Sequence, residues 1–367
     1  MMKKILLGTT LLMGVVASAA QAGEPLKFGI SGFYQGAMAI TSDGKYDDKG
    51  EAGYGRHNIN FKQNVEVHFG GEVKLDNGIT VGGRVELEGQ THSDQIDATY
   101  FYFKTGLGEV RFGNFGSAAA LLCGGLNTAS TAFPVAGAMN FSNLGNNGQQ
   151  LVDSTGTDLC NSINDKGTKI AYFSPSIAGF RAAISYMPDD SEDQPGNAVG
   201  GTPKSNVGQD SKEWSMAVEY SANIGSFGIG AYAGWERALE TENSPNKKPT
   251  YFQFGGSVTF GNFGINAGFQ RGTNLDVNDM DSKTFGLSGT YKMDAFTFGF
   301  AWLRGWYDLP GNFKEETHDV YMITMGYALG TGVNLDAVIQ RDVYNAKNPT
   351  TSDYKSTVFG VGFSVAF

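Results

Sequence analysis

Beyond its N-terminus the chain has no continuous apolar run approaching the roughly 20 residues that a membrane-spanning helix needs. It also has almost no helical periodicity, which a soluble protein of 367 residues would normally show somewhere. Charged residues are sparse at 17% and the formal net charge is −10, a poor match for nucleic acid phosphates, so no nucleic acid partner is expected. Histidine is scarce: His57, His68, His92 and His318 show no metal-ligand spacing and read as solvated or loop residues, so no metal site is expected. No Ser-His-Asp arrangement with an elbow motif and no phosphate-cradling glycine loop occurs, which argues against an enzyme and against a cofactor. Cysteine is limited to Cys123 and Cys160.

What is present points to export. Lys3 and Lys4 precede an apolar stretch from Ile5 to Ala20, and Ala20-Gln21-Ala22 supplies a small-x-small cleavage site. Residues 1–22 therefore read as a signal peptide and residues 23–367 as the mature domain, whose formal charge becomes −12 once Lys3 and Lys4 are removed. In an oxidising compartment Cys123 and Cys160 are expected to bond.

Aromatic residues make up 13% of the chain, and glycines number 52. The recurring pattern is period-two alternation in stretches of about ten residues. Phe28, Ile30, Tyr34, Met38 and Ile40 share one parity; Ile59, Phe61, Val65, Val67, Phe69, Val73 and Leu75 share it in the next stretch. Asp76-Asn77-Gly78 follows as a tight turn, because Asn-Gly tolerates the positive φ that hairpins need. Val81, Val85 and Leu87 then oppose Arg84, Glu86 and Glu88. Further short turns fall at 105–108, 175–179, 222–225, 261–262, 294–295 and 330–332. Long polar loops run near 41–57, 89–94, 115–165, 189–211, 239–249, 274–281, 308–316 and 345–354, which delimits 16 strands. Short turns on one rim and long loops on the other are how outer-membrane barrels are built. A secreted sandwich or propeller also has many alternating strands, but a sandwich needs a dry inner face. Here the polar parity carries charge throughout, and the other parity gathers Phe, Tyr and Trp near strand ends, as interfacial girdles require. The final strand, Val361-Gly-Phe363-Ser-Val365-Ala-Phe367, closes on a phenylalanine. The reading is an all-β, transmembrane antiparallel β-barrel in the outer membrane of a Gram-negative bacterium.

The chain resembles Gram-negative general-diffusion porins. The likeness is carried by Leu26-Lys-Phe-Gly-Ile-Ser-Gly32, Leu75-Asp-Asn-Gly-Ile-Thr-Val81, Lys169-Ile-Ala-Tyr-Phe-Ser-Pro175 with Gly179-Phe180, and Phe359-Gly-Val-Gly-Phe-Ser-Val-Ala-Phe367. The resemblance implies a homotrimer of 16-stranded barrels, each with a water-filled pore narrowed by the long third loop folding inward. It further implies passive diffusion of small hydrophilic solutes and ions. The cysteine pair departs from the family's usual pattern. Two other readings stay open: a solute-specific channel, for which no aromatic track along one interior wall is legible, and a barrel-embedded hydrolase, for which no catalytic set is legible.

Parity assigns candidate sites. Lys62, Arg84, Arg111 and Arg181 fall on the polar face, and Asp153, Asp158 and Asp165 lie on the longest loop. A basic wall facing an acidic loop would set a transverse field across a narrow aqueous gap, costly for apolar solutes. The alternative is a set of salt bridges holding the loop in place. Cys123 and Cys160 sit in the same loop, where a bond would either stiffen the narrowing or simply staple it. The acidic clusters at 189–193 and 276–281 read as solvated surface rather than calcium sites, having no full ligand pattern. Finally, Arg237, Arg271, Arg304 and Arg341 sit on the lipid-facing parity, each eight to ten residues after its strand's first lipid-facing residue. At ~3.3 Å per residue and ~45° tilt that is about 19–23 Å along the normal, near the top of an apolar band ~25 Å tall. There they would form a ring that meets lipopolysaccharide phosphates; a slip of parity at each strand end would instead turn them into the lumen.

Overall fold

The computed structural model describes residues 27–43, 58–89, 95–134, 159–163, 166–189, 210–241, 248–275, 281–308, 315–345 and 353–367. Sixteen long strands follow in chain order: β1 (Lys27–Asp43), β2 (Ile59–Lys74), β3 (Thr80–Glu88), β4 (Ile96–Thr105), β5 (Gly108–Asn114), β6 (Thr168–Phe173), β7 (Phe180–Asp189) and β8 (Asp210–Ile224). They continue as β9 (Phe227–Arg237), β10 (Thr250–Phe260), β11 (Phe263–Thr273), β12 (Asp281–Met293), β13 (Phe296–Asp308), β14 (Glu316–Gly330), β15 (Val333–Asn345) and β16 (Tyr354–Ala366). A two-residue strand, Glu240–Thr241, pairs only with Asp210 and Ser211 of β8. Among the described residues the one α-helix is α1 (Ala118–Leu122), between β5 and β6.

Every strand pairs antiparallel with its chain neighbours, and β16 returns to β1 in register from Phe33↔Ala366 to Asp43↔Ser356. The barrel therefore closes without an edge, as a lipid solvent demands: an unpaired backbone group there costs several kcal/mol. The C-terminal residue completes the seam. Gly32 N donates to Phe367 O at 2.9 Å, and Phe367 N donates to Gly32 O at 3.1 Å. The turns are the ones read from the sequence. At the first, Gly78 takes φ 84° and donates to Leu75 O at 2.8 Å, while Asn77 Oδ1 accepts from Ile79 N at 3.1 Å.

Alternation sorts the side chains onto two faces. Outward lie Phe28 (72% exposed), Phe61 (76%), Ile265, Phe300, Ile323 and many more large apolar groups. So continuous an apolar surface far exceeds what a soluble monomer shows, and it marks the lipid-facing band. Inward lie polar, charged and small residues, against which the long connection between β5 and β6 packs. Its Leu126, Ala132 and Phe133 join Ala39, Ala301, Leu303, Met322, Val338 and Val358 of the wall in one apolar cluster. Phe115, Ala118 and Leu122 join Ala171, Phe173 and Ala183 in another. The hydrophobic cores are thus inside the barrel, between wall and connection.

Candidate functional site in the lumen

The connection is seated by polar side chains that alternation aims inward. Ser117 caps α1, its Oγ accepting from Ala120 N at 3.2 Å, and also bonds Glu236 Oε2. The other oxygen of Glu236 accepts from Ile163 N at 2.5 Å, so one buried carboxylate ties both ends of the connection to β9. Ala118 N and Ala119 N donate to Ser185 Oγ and Ser215 Oγ at 3.0 and 2.8 Å. Gln253 Nε2 donates to Ala119 O at 2.7 Å, and Gln270 Nε2 to Asn161 O at 2.9 Å. Further along, Ala129 N donates to Thr324 Oγ1 at 3.0 Å and Thr131 N to Asp336 Oδ1 at 3.2 Å. Cys123 and Cys160 are disulfide-bonded, with 5.7 Å between their Cα atoms. Asp153, Asp158 and Asp165 lie outside the described residues.

α1 is seated on β7–β9, and across the lumen from it stands the wall of β2–β5. Lys62 points inward opposite Ala37. Arg84 Nε pairs with Glu86 Oε1 at 2.5 Å, and its NH2 reaches His68 Nδ1 at 2.6 Å. Guanidinium only donates, so His68 accepts at Nδ1, and its Nε2 proton goes to Glu66 Oε2 at 2.7 Å. Arg111 is held by Glu109 at 2.8 and 2.9 Å and stacked over Tyr100, Phe173 and Phe115 at 4.5, 4.9 and 5.2 Å. Arg181 pairs with Glu219 at 3.2 Å and stands 5.3 Å over Phe173. The expectation of a basic wall is thereby corrected. Each arginine has a wall carboxylate beside it, placed two residues along its own strand or across the hairpin, so the charges alternate along the wall. An aromatic series also runs along this wall, contrary to expectation, but Phe115 and Phe173 are only 2% exposed and support the guanidinium planes rather than offer a track to solutes.

Between wall and connection remains a gap of about 520 Å³, lined by Glu86, Tyr100, Arg111, Leu121, Asn161 and Lys166. A larger hollow of about 770 Å³ lies at the β15–β16–β1–β2 seam, lined by Tyr34, Phe61, Lys62, Leu335, Asp336 and Phe363, and shares no lining residue with the gap beside α1.

Two histidines correct the reading of all four as solvated. His318 is buried with Nε2 3.3 Å from Asp342 Oδ1, and His68 is the half-buried link just described. His57 and His92 lie outside the described residues. Glu66, His68 and Glu86 bring potential ligand atoms within 4.8 Å of one another. Arg84 touches both His68 and Glu86, so a cation already offsets one of the trio's two carboxylate charges, and a metal at His68 Nε2 would have to displace the proton held by Glu66.

Arg237, Arg271, Arg304 and Arg341 all stand on the outward parity, in uninterrupted register with Trp235, Phe269, Trp302 and Ile339. Sequence alone does not reveal Glu236, Gln253, Gln270 and Asp336 as seats for the connection. Their available signal is polar identity at inward positions of glycine-rich strands.

A family model described as Gram-negative porin matches residues 8–347. No curated protein matches the chain. Among solved structures, the anion-selective porin from Comamonas acidovorans is similar at TM-score 0.64 and 15% identity, over 93% of this chain and 100% of that one. The outer membrane channel DcaP of Acinetobacter baumannii is similar at TM-score 0.63 and 13% identity, over 95% and 100%. A trimer form of OmpT, an outer membrane protein of Vibrio cholerae, is similar at 0.59 and 13%, over 93% and 99%. With a closed barrel of sixteen long strands, a polar lumen and a family match over most of its length, the chain belongs to the Gram-negative porins, passive diffusion channels of the outer membrane.

Proposed function

We propose that small hydrophilic solutes and ions cross this barrel through the gap between α1 and the β3–β5 wall, without turnover and with a weak preference for cations. The observation that carries this is the gap itself: about 520 Å³ bounded by fixed charges of both signs, Glu86, Arg111 and Lys166. Such a lining orients water and raises the cost for apolar solutes, while paired charges leave only a small net field. Carboxylates outnumber cations on the inward face of the described strands, which supports the cation preference. Lys62, Arg84, Arg111 and Arg181 are the wall's contribution to the narrowing, and Asp153, Asp158 and Asp165 the connection's. Residues 1–22 act as the cleaved export signal, a reading supported by Lys3, Lys4, the apolar run and Ala20-Gln21-Ala22. A homotrimer is supported by the trimer form among the similar structures. Reversal potentials in a salt gradient across planar bilayers test the selectivity. A small potential of cationic sign is expected, and strong anion preference would overturn it.

A further inference from the structure

The lipid-facing band of a barrel is poor in charge because arginine or lysine at mid-depth costs about 2–4 kcal/mol, falling to about 0–1 near the interfaces. In this chain the outward cations are confined to one sector. Arg237, Arg271, Lys283, Arg304 and Arg341 face outward on β9, β11, β12, β13 and β15, with Lys212 and Lys355 at the margins on β8 and β16. Among the described residues no lysine or arginine faces outward on β1–β7.

The four arginines also share one height. Pairing runs from Arg237 through Thr250 to Thr273, and Arg271 lies two residues back toward the short-turn rim. From Arg271 it runs through Lys283 to Trp306, and Arg304 again lies two residues back. From Arg304 it runs through Asp319 to Val343, and Arg341 once more lies two residues back. With strands ~4.8 Å apart, ~3.3 Å rise and ~40° tilt, the register climbs about 1.2 residues per strand at constant height. A two-residue step every second strand therefore shifts the height by only about 1 Å per step, about 3 Å over the whole row, with arginines roughly 12 Å apart along the circumference. The row lies toward the long connections, the extracellular side in barrels of this kind.

The members differ in what they already hold. Arg304 is committed: its Nε and NH2 reach Asp319 at 2.8 and 2.6 Å, Trp302 Nε1 donates to the same carboxylate at 3.1 Å, and Asp319 is 4% exposed. Arg341 donates to Thr357 Oγ1. Arg237 Nε is buried with no hydrogen-bond partner among the described residues. Arg271 is 54% exposed, and its carboxylate neighbour Asp281 stands 3.9 Å away, beyond hydrogen-bonding distance. Lys283 is 3.6 Å from Glu315. Moreover, Arg271 and Lys283 are direct cross-strand partners on the same face. Like charges so placed are destabilising unless an anion lies between them. Asp281, its cross-strand partner Asp308 and Glu315 match Arg237, Arg271 and Lys283 in number, but among the described residues no carboxylate stands within hydrogen-bonding distance of Arg271 or Lys283.

We propose that Arg237, Arg271 and Lys283 form a cradle for the phosphate groups of outer-leaflet lipopolysaccharide, with the Arg304–Asp319 pair as a fixed strut beside it. Trp235 and Phe252, cross-strand partners between Arg237 and Arg271, supply an apolar floor for the lipid's chains. Two arginines offer paired donors to phosphate oxygens and Lys283 a point charge, and the interface depth keeps their desolvation small.

The test uses the full-length protein in detergent and deep-rough lipopolysaccharide, its enzymatically dephosphorylated form, and phosphatidylglycerol, with binding read by native mass spectrometry. The R237Q/R271Q/K283Q variant leaves Arg304 in place, so Asp319 is not left unpaired. Wild type is expected to bind the phosphorylated glycolipid roughly tenfold or more tightly than either comparison lipid, and the variant to lose about the same factor, since one charged hydrogen bond is worth on the order of tenfold. Unchanged single-channel conductance would show the variant's barrel intact. Equal binding of the dephosphorylated form, or equal binding by wild type and variant, would overturn the proposal. Equal binding of phosphatidylglycerol would overturn it in favour of a general anionic-lipid surface. The three wild-type comparisons stand even if the variant does not fold.

Discussion

Replacing Gly299 by valine asks directly whether the β5–β6 connection rests where the structure puts it. Gly299 faces inward on β13, and a Cβ there would lie 2.7 Å from Ala129 N, 2.7 Å from Thr324 Oγ1 and 2.9 Å from Ala129 Cβ. Those first two atoms are the donor and acceptor of the 3.0 Å hydrogen bond that seats the connection, so valine drives between them. Ordinary heavy-atom contact begins near ~3.5 Å, which forces the backbone at Ala129 to retreat on the order of 1 Å. That breaks this hydrogen bond and stretches the one from Thr131 N to Asp336 Oδ1, already 3.2 Å long. At about 0.5–1.5 kcal/mol net for each bond, the seat loses roughly 1–3 kcal/mol. The wall itself is spared, because its ladders to β12 and β14 are backbone bonds and valine suits a strand better than glycine. Single-channel recording and limited proteolysis should therefore show a folded barrel with an altered conductance step, more open-channel noise and faster cleavage between 115 and 165. A valine variant with the step, noise and protease resistance of the wild type would refute this seating.

Reduction of Cys123–Cys160 should likewise raise open-channel noise, since a bond spanning 37 positions constrains the unfolded connection by about 4 kcal/mol. Thiol labelling of both positions in native, unreduced protein would contradict the bond. Arg111→Gln removes a fixed cation from the gap and leaves Glu86 and Glu109 beside it, so the reversal potential should move toward cations. An unmoved potential would place Arg111 away from the narrowest point.

Much of the architecture is legible in the sequence because a barrel's information is local. Period-two alternation from Phe28 to Ile40 already says which face meets lipid, and Asn77-Gly78 says where the chain reverses. The closing phenylalanine is legible as a strand end, though its reciprocal bonds to Gly32 emerge only from the closed register. The lumen is less readable, for two physical reasons. First, the connection is irregular and its anchors are far apart in sequence: Glu236 binds both Ser117 and Ile163, a pairing that no periodicity encodes. Second, parity places a charge on a face but not its partner. Glu86, Glu109 and Glu219 therefore neutralise a wall that reads as basic when Arg84, Arg111 and Arg181 are counted alone. The outward arginines illustrate the same limit. Their orientation and even their common height follow from parity and tilt, whereas Asp319's capture of Arg304 needs the cross-strand register.

The central claim is that the gap beside α1 is an open, passive aqueous path. Single-channel conductance of the purified protein in planar bilayers, followed across a wide range of salt concentration and in the presence of small sugars, tests it most directly. Discrete steps that grow in proportion to bulk conductivity, without saturation and with only weak cation preference, are the predicted result. The absence of steps, or conductance that saturates at low salt or is blocked by one solute at low concentration, would contradict it.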